Sequence, residues 1–270
     1  MTKVKVTPAL AKEWLRGNSN NRNVSEVRVM SYAKEMKRGA WREDTYEFIK
    51  ITKNGRVLDG QHRLHAVIMA GVPVNFHLAF DVPEDVHPVL DTGKGRTASD
   101  VFSIEGIPYA TNVPAMMQKY FLLQGKKAVN GANMASRKSH SELLDLYRDD
   151  DEFWKMACKK STIWYEAFGR VLSASQIGGL YAYFYKECHP DLATEFMSQL
   201  CTGQDITNNV IAILRQKLIA DRISMKRMPV NVRLALAVKT FNYFVNGKTP
   251  KILRFIKDKE DFPSVKKMFS

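Results

Sequence analysis

Asp59-Gly60-Gln61-His62-Arg63 brings together the residue types that a phosphate site needs, where a short apolar run gives way to a helical pattern. The first backbone N–H groups of a helix lack intrahelical partners, and the helix dipole places partial positive charge beside them. At such a start Gly60 lets the backbone approach a ligand, while Gln61 and His62 offer donors. Arg63 adds a forked cation matched to phosphate oxygens. The same five residues could also do acid–base work. Asp59 could accept a hydroxyl proton beside a bound phosphate, and His62 could carry a proton near neutral pH. Asp59 serves equally well as a turn residue.

A second candidate is Thr92-Gly93-Lys94-Gly95-Arg96-Thr97. Its glycines free the backbone, Lys94 and Arg96 carry charge, and Thr97 is placed to cap a following helix with Asp100 in a capping box. The spacing is not that of a Walker loop. Two cationic helix starts suit a polyphosphate better than a single phosphate. The expected ligand is therefore a nucleoside triphosphate, with Mg²⁺, if present, carried on it. His65 follows His62 by one helical turn, but no carboxylate–histidine pattern completes a metal site there.

The elements that must position these residues are legible in the pattern. Thr7-Pro8 opens a helix to about Arg16, and Ser25 caps another over 25–38 that Gly39 ends. Tyr46 to Ile51 reads as a strand, and Asn54-Gly55 turns it into Arg56-Val57-Leu58 as a hairpin. Helical spacing resumes at Leu64, Val67-Ile68 and Ala70, stops at Gly71, and leads into a strand from Asn75 to Phe80. A short helix is expected over 84–90. Beyond Gly106-Ile107-Pro108 the pattern is helical over 111–124, 139–160, 161–171, 174–187, 191–201, 207–221 and 230–245, with a basic loop over 125–137. The expected fold class is α+β, with a small mixed domain over 1–107 and a basic all-helical domain over 108–270.

Asn54 through Leu78, NGRVLDGQHRLHAVIMAGVPVNFHL, resembles the core of the ParB/sulfiredoxin superfamily, and the similarity extends over about residues 5–105. The resemblance implies a hairpin that delivers a Gly-x-x-Arg box to a phosphate-binding helix, with Arg96 as a second phosphate contact. Proteins with this box are often encoded by phages and mobile elements. Gln61 stands where sulfiredoxins carry their cysteine, and an amide is no sulfur nucleophile, which excludes sulfinic-acid repair. ParB-type members have a glutamate at that place. The Asp-Gly-x-His-Arg form is closest to the sulfiredoxin box and to that of related free-serine kinases, and Asp59 matches a position that resembles the kinases' acid–base carboxylate.

The net charge of +13 is uneven: residues 1–110 hold 16 Lys+Arg against 13 Asp+Glu, or +3, and residues 111–270 hold 25 against 15, or +10. Basic surface concentrated in one half points to a polyanion such as nucleic acid. Arg215, Lys217, Arg222, Lys226 and Arg227 are the candidate phosphate contacts, although a solvated charged face would look the same. Clustered aromatic residues from Trp154 to Tyr185 fit a core. Cys158, Cys188 and Cys201 lack disulfide or zinc spacing, and with no apolar leader or spanning segment the chain reads as cytoplasmic, in a host cell if phage-encoded, without a membrane partner. The leading expectation is a ParB-like nucleotide-binding protein acting on or beside DNA, alone, as a homodimer or with a protein partner. The alternatives are a phosphoryl-transfer enzyme, kinase-like, NTPase or nuclease-like, with Asp59 as base, and an interaction protein whose pocket is vestigial.

Overall fold

The computed structural model describes residues 2–16, 24–43, 45, 47–83, 97–125, 137–257 and 259–265. The chain divides into two compact units, Met1–Gly95 and Arg96–Ser270. The first combines a four-stranded sheet with helices and the second is helical in its described residues, an α+β composition.

In the first unit the described elements run β1 (Thr2–Val6), α1 (Pro8–Leu15), α2 (Glu26–Lys37), β2 (Ile49–Ile51), β3 (Val57–Asp59), α3 (Gln61–Ala70) and β4 (Val74–Ala79). The sheet order is β1-β4-β2-β3; β1 and β3 lie antiparallel to their neighbours, while β2 and β4 are parallel. Strand β4 alternates strictly, with Val74, Phe76 and Leu78 buried and Asn75, His77 and Ala79 partly exposed, as one covered face requires. The helices cover that face, where Val6, Val29, Ala33, Ile49, Leu64 and Val67 complete the core. Helices α1 and α2 begin at the caps expected, with Leu10 N–H donating to Thr7 Oγ1 and Arg28 N–H to Ser25 Oγ.

The Asn54-Gly55 hairpin forms as its turn chemistry predicts. Gly55 takes φ 79°, its N–H donates to the Thr52 carbonyl, and Thr52 N–H donates to the Arg56 carbonyl. A register shift between Lys50 and Ile51 then places Lys50 opposite Asp59. Strand β1 was not expected. Its Lys-Val alternation becomes a strand by pairing with β4, with Val4 opposite Phe76.

The second unit contains α4 (Ala98–Ile104), α5 (Asn112–Gln124), α6 (His140–Arg148), α7 (Asp151–Ala167), α8 (Ala174–Glu187), α9 (Pro190–Thr202), α10 (Asn209–Ile223) and α11 (Val230–Val245). The division after Gly95 falls before the expected boundary at 107, because Phe102 of α4 is buried in the helical core. One helix over 139–160 and another over 161–171 were expected. The break instead lies at Asp149-Asp150, where Asp150 leaves the helical region at φ −156° and becomes the N-cap of α7; that helix then runs unbroken through Ser161. Asp151 and Glu152 occupy its first turn, where the dipole favours them.

Helix α8 is the centre of the unit, with every residue from Gln176 to Phe184 buried. Helices α5, α7, α9 and α11 pack around it. Gly178 and Gly179 admit α5 at backbone range: a Cβ on Gly179 would stand 2.4 Å from Lys119 Cβ and 3.3 Å from the Met116 carbonyl oxygen. On the far side Phe184 stacks on Phe241 at 4.0 Å with ring planes 5° apart. Trp154, Trp164, Phe168, Tyr181 and Tyr183 are buried, so the aromatic cluster is core. Burial pushes the Cys158 thiol up to about 11 and the Cys201 thiol up to about 12, which leaves both protonated at neutral pH. No helix among the described residues is long and apolar enough to cross a membrane.

Candidate functional site

The hairpin delivers Asp59 and Gly60 to the start of α3 as expected, but four box residues have structural work there. Gly60 takes φ 104°, a left-handed conformation costly for a residue with a side chain. The face where a Cβ would project is filled, since it would meet Ile49 Cγ1 at 2.8 Å. The missing side chain of Gly60 therefore lets α3 seat on the sheet.

Arg63 was expected to fork onto a phosphate. Its guanidinium instead turns into the protein, where Nη1 donates to the Glu47 carbonyl at 2.6 Å. Nη2 donates to the Phe48 carbonyl at 3.1 Å and to Asp59 Oδ2 at 3.2 Å. The residue is 7% exposed, and the cavity beside it, shared with Trp41, Glu43, Glu47 and Asn75, measures about 10 Å³, room for one water at most. Arg63 ties the segment entering β2 to the end of β3, because two carbonyls and a carboxylate converge on its fork. Asp59 is correspondingly engaged, with Lys50 Nζ at 4.0 Å on its other side.

His62 is 7% exposed, and its Nε2 accepts the Ser25 N–H at 2.9 Å. Ser25 is the N-cap of α2 and His62 lies in the first turn of α3. The imidazole thus joins the starts of two helices, and both dipoles present their positive ends around it. Sequence spacing gave no sign of this convergence, since Ser25 and His62 are 37 residues apart. Gln61, also 7% exposed, precedes His62 at the same end of α3, and Gly60 contributes no side-chain cap.

His65, one turn further along α3, shows the cost of burying an ionisable ring. Desolvation holds its pKa below the ordinary value of 6.5. At pH above that value neither the folded nor the unfolded ring is charged. As the pH falls through it, the unfolded chain takes up a proton that the folded ring resists, so stability is lost on the acid side. The melting temperature of the protein is expected to drop between about pH 7.5 and 5.5, and His65→Gln should flatten that dependence; thermal melts at the two pH values measure both.

The second candidate segment is described only in part. Lys94 and Arg96 lie outside the described residues. Thr97 caps α4 as predicted: Asp100 N–H donates to Thr97 Oγ1 at 3.2 Å and Thr97 N–H to Asp100 Oδ2 at 2.7 Å. The box engages Thr97 Oγ1, which was also expected to contact phosphate. The Asp100 carboxylate already occupies the positive end of α4, where a phosphate would have to sit. No group of three or more His, Cys, Asp or Glu among the described residues is placed to hold a metal ion.

The five basic candidates of the helical unit divide in two. Arg215 Nη1 donates to the carbonyls of Leu200 and Cys201 at 2.7 and 2.8 Å, closing the C-terminal end of α9, and its guanidinium lies 5.0 Å from the Phe168 ring centre. Lys217 Nζ donates to the Leu253 carbonyl at 3.2 Å. These two are fasteners, because a buried carbonyl needs a donor more than a distant phosphate does. Arg222, in the last turn of α10, and Lys226 and Arg227, on the turn after it, are exposed. None of the five pairs with a carboxylate among the described residues, in contrast to Arg148 with Glu105, Arg170 with Glu166 and Lys186 with Asp150.

No family model, curated protein or solved structure matches this chain. Its functional reading therefore rests on the geometry of its own residues.

Proposed function

We propose that the protein binds a nucleotide through its phosphates in the first unit and contacts DNA with the second, as a ParB/sulfiredoxin-like protein would. The observation that carries the first half is the meeting of the starts of α2 and α3 at one hydrogen bond, Ser25 N–H to His62 Nε2. Two dipoles with their positive ends at one place favour an anion more than either alone. The framework roles of Arg63 and His62 leave the backbone starts of the two helices as the gripping groups. Nucleoside triphosphate, with Mg²⁺ as its counter-ion, is the ligand class that suits two cationic ends. The ion pair with Arg63 accounts for Asp59 without a catalytic task, so binding is preferred to phosphoryl transfer. The DNA half is supported by Arg222, Lys226 and Arg227, which pair with no carboxylate among the described residues, and by the +10 charge of residues 111–270.

Ser25→Asp tests the nucleotide site. Aspartate caps a helix as well as serine does, so α2 should persist, while a fixed carboxylate takes the anion's place. Calorimetric titration with a panel of ribonucleoside triphosphates, with and without Mg²⁺, is expected to show affinity weakened about tenfold or more in the variant, a loss of about 1.4 kcal/mol. Equal affinity in both proteins would show that any bound nucleotide sits elsewhere.

A further inference from the structure

The end of α10 and the turn that leads to α11 combine two properties. This segment is internally fastened, and it carries two exposed apolar side chains, one at the end of α10 and one on the turn itself. Asp221, 7% exposed, accepts the Met228 N–H through Oδ1 and lies with Oδ2 3.8 Å from Arg233 Nε. Ser224 Oγ donates to the Lys226 carbonyl at 3.2 Å and accepts the Lys226 N–H at 3.3 Å. Arg227 Nη2 donates to the Arg222 carbonyl at 3.1 Å. Out of this frame project Ile223, 82% exposed, and Met225, 106% exposed, with Ile219 at 38% on the preceding turn of α10. Arg222, Lys226 and Arg227 flank the two apolar side chains.

We infer that this turn is a wedge for duplex DNA, with Met225 and Ile223 entering between base steps while Arg222 and Lys226 hold the flanking phosphates. The inference rests on the DNA half of the proposed function and names its geometry. Proteins that kink DNA from the minor groove insert one or two aliphatic side chains beside cationic residues, at a cost of a few kcal/mol in unstacking that added contacts offset. A fastened turn suits that use, because the side chain that pries must not yield first. An anionic membrane could also attract a basic apolar turn. Two aliphatic side chains give little insertion, however, since stable anchoring takes a long chain or an amphipathic helix of apolar face. One or two side chains are all that a base step can admit.

The test uses the full-length protein, a short duplex with 2-aminopurine at successive positions, and vesicles of phosphatidylglycerol. The wild-type protein is expected to bind duplex with an affinity that falls steeply with salt and to raise 2-aminopurine fluorescence as stacking is lost. Ile223→Ser with Met225→Ser should abolish the fluorescence rise and weaken binding about tenfold at an unchanged salt slope. Both side chains are exposed, so the fold should be kept, and far-ultraviolet circular dichroism checks it. Arg222→Ala with Lys226→Ala should lower the slope by about 2. Retained fluorescence and affinity in the serine variant would remove the wedge and leave the DNA reading intact. Salt-independent or absent duplex binding by the wild-type protein would remove both. Serine substitutions that weaken vesicle binding and leave duplex binding untouched would assign the turn to membrane instead.

Discussion

Arg63→Ala is expected to destabilise the first unit by about 3–5 kcal/mol, the range seen when one partner of a buried ion pair is removed. The loss has three sources: the Glu47 carbonyl, the Phe48 carbonyl and Asp59 all depend on the one guanidinium. The pair is not sealed, since the Asp59 side chain is 26% exposed, which places the effect toward the lower end. Arg63→Lys should recover only part of it. A single ammonium can reach one or two of three acceptors set for a planar fork. Chemical denaturation followed by circular dichroism measures the difference, and because unit stabilities are typically about 5–15 kcal/mol the alanine variant should be visibly less folded at moderate denaturant. A change under about 0.5 kcal/mol, the size of an ordinary surface substitution, would refute the fastening role.

Gly60→Ala is expected to cost about 2–5 kcal/mol, from left-handed backbone strain of about 1–2 and a packing collision of about 1–3. The two parts can be separated. Asparagine tolerates the left-handed region better than alanine, yet its Cβ still meets Ile49. Trimming Ile49 to alanine removes Cγ1 and Cγ2, the two nearest atoms of the collision, and leaves φ at 104°. Most of the loss should therefore persist in Gly60→Asn if packing dominates, and Gly60→Ala should cost less in an Ile49→Ala background than in the parent. Equal stability of Gly60→Ala and the parent would mean that α3 can start in another conformation.

The elements around the candidate site are legible in the sequence wherever a local rule governs them. Asn54-Gly55 announces its turn, Gly71 its helix stop, and Thr7, Ser25 and Thr97 their caps, because each decision is made within four residues. Strand β1 was hidden because Thr2–Val6 becomes a strand only by pairing with residues 74–78. The break at Asp150 was hidden for the opposite reason: the apolar period runs on across it, and a change of backbone angle decides it. At the site itself, residue types gave the strand-to-helix junction but not the division of labour. The acceptors of Arg63 are main-chain carbonyls 16 and 15 residues upstream, and a carbonyl has no signature in a sequence. The same holds for Arg215, whose carbonyl partners sit at the end of α9. Charge counts say how many cations a chain carries; only geometry says which are already committed.

The burial of α8 on every side has a consequence for how the second unit comes into being. From Gln176 to Phe184 the helix has no polar flank to turn to water. As the chain emerges during synthesis, α5 and α7 can shelter part of it early. The Phe184 ring meets Phe196 of α9 early, but one of its faces waits for Phe241, which is 57 residues further along. Until α11 arrives, the middle of the unit has an apolar surface in search of a cover, the condition under which nascent chains recruit chaperones or one another. Consolidation of this unit is therefore a late event, completed from its C-terminal side.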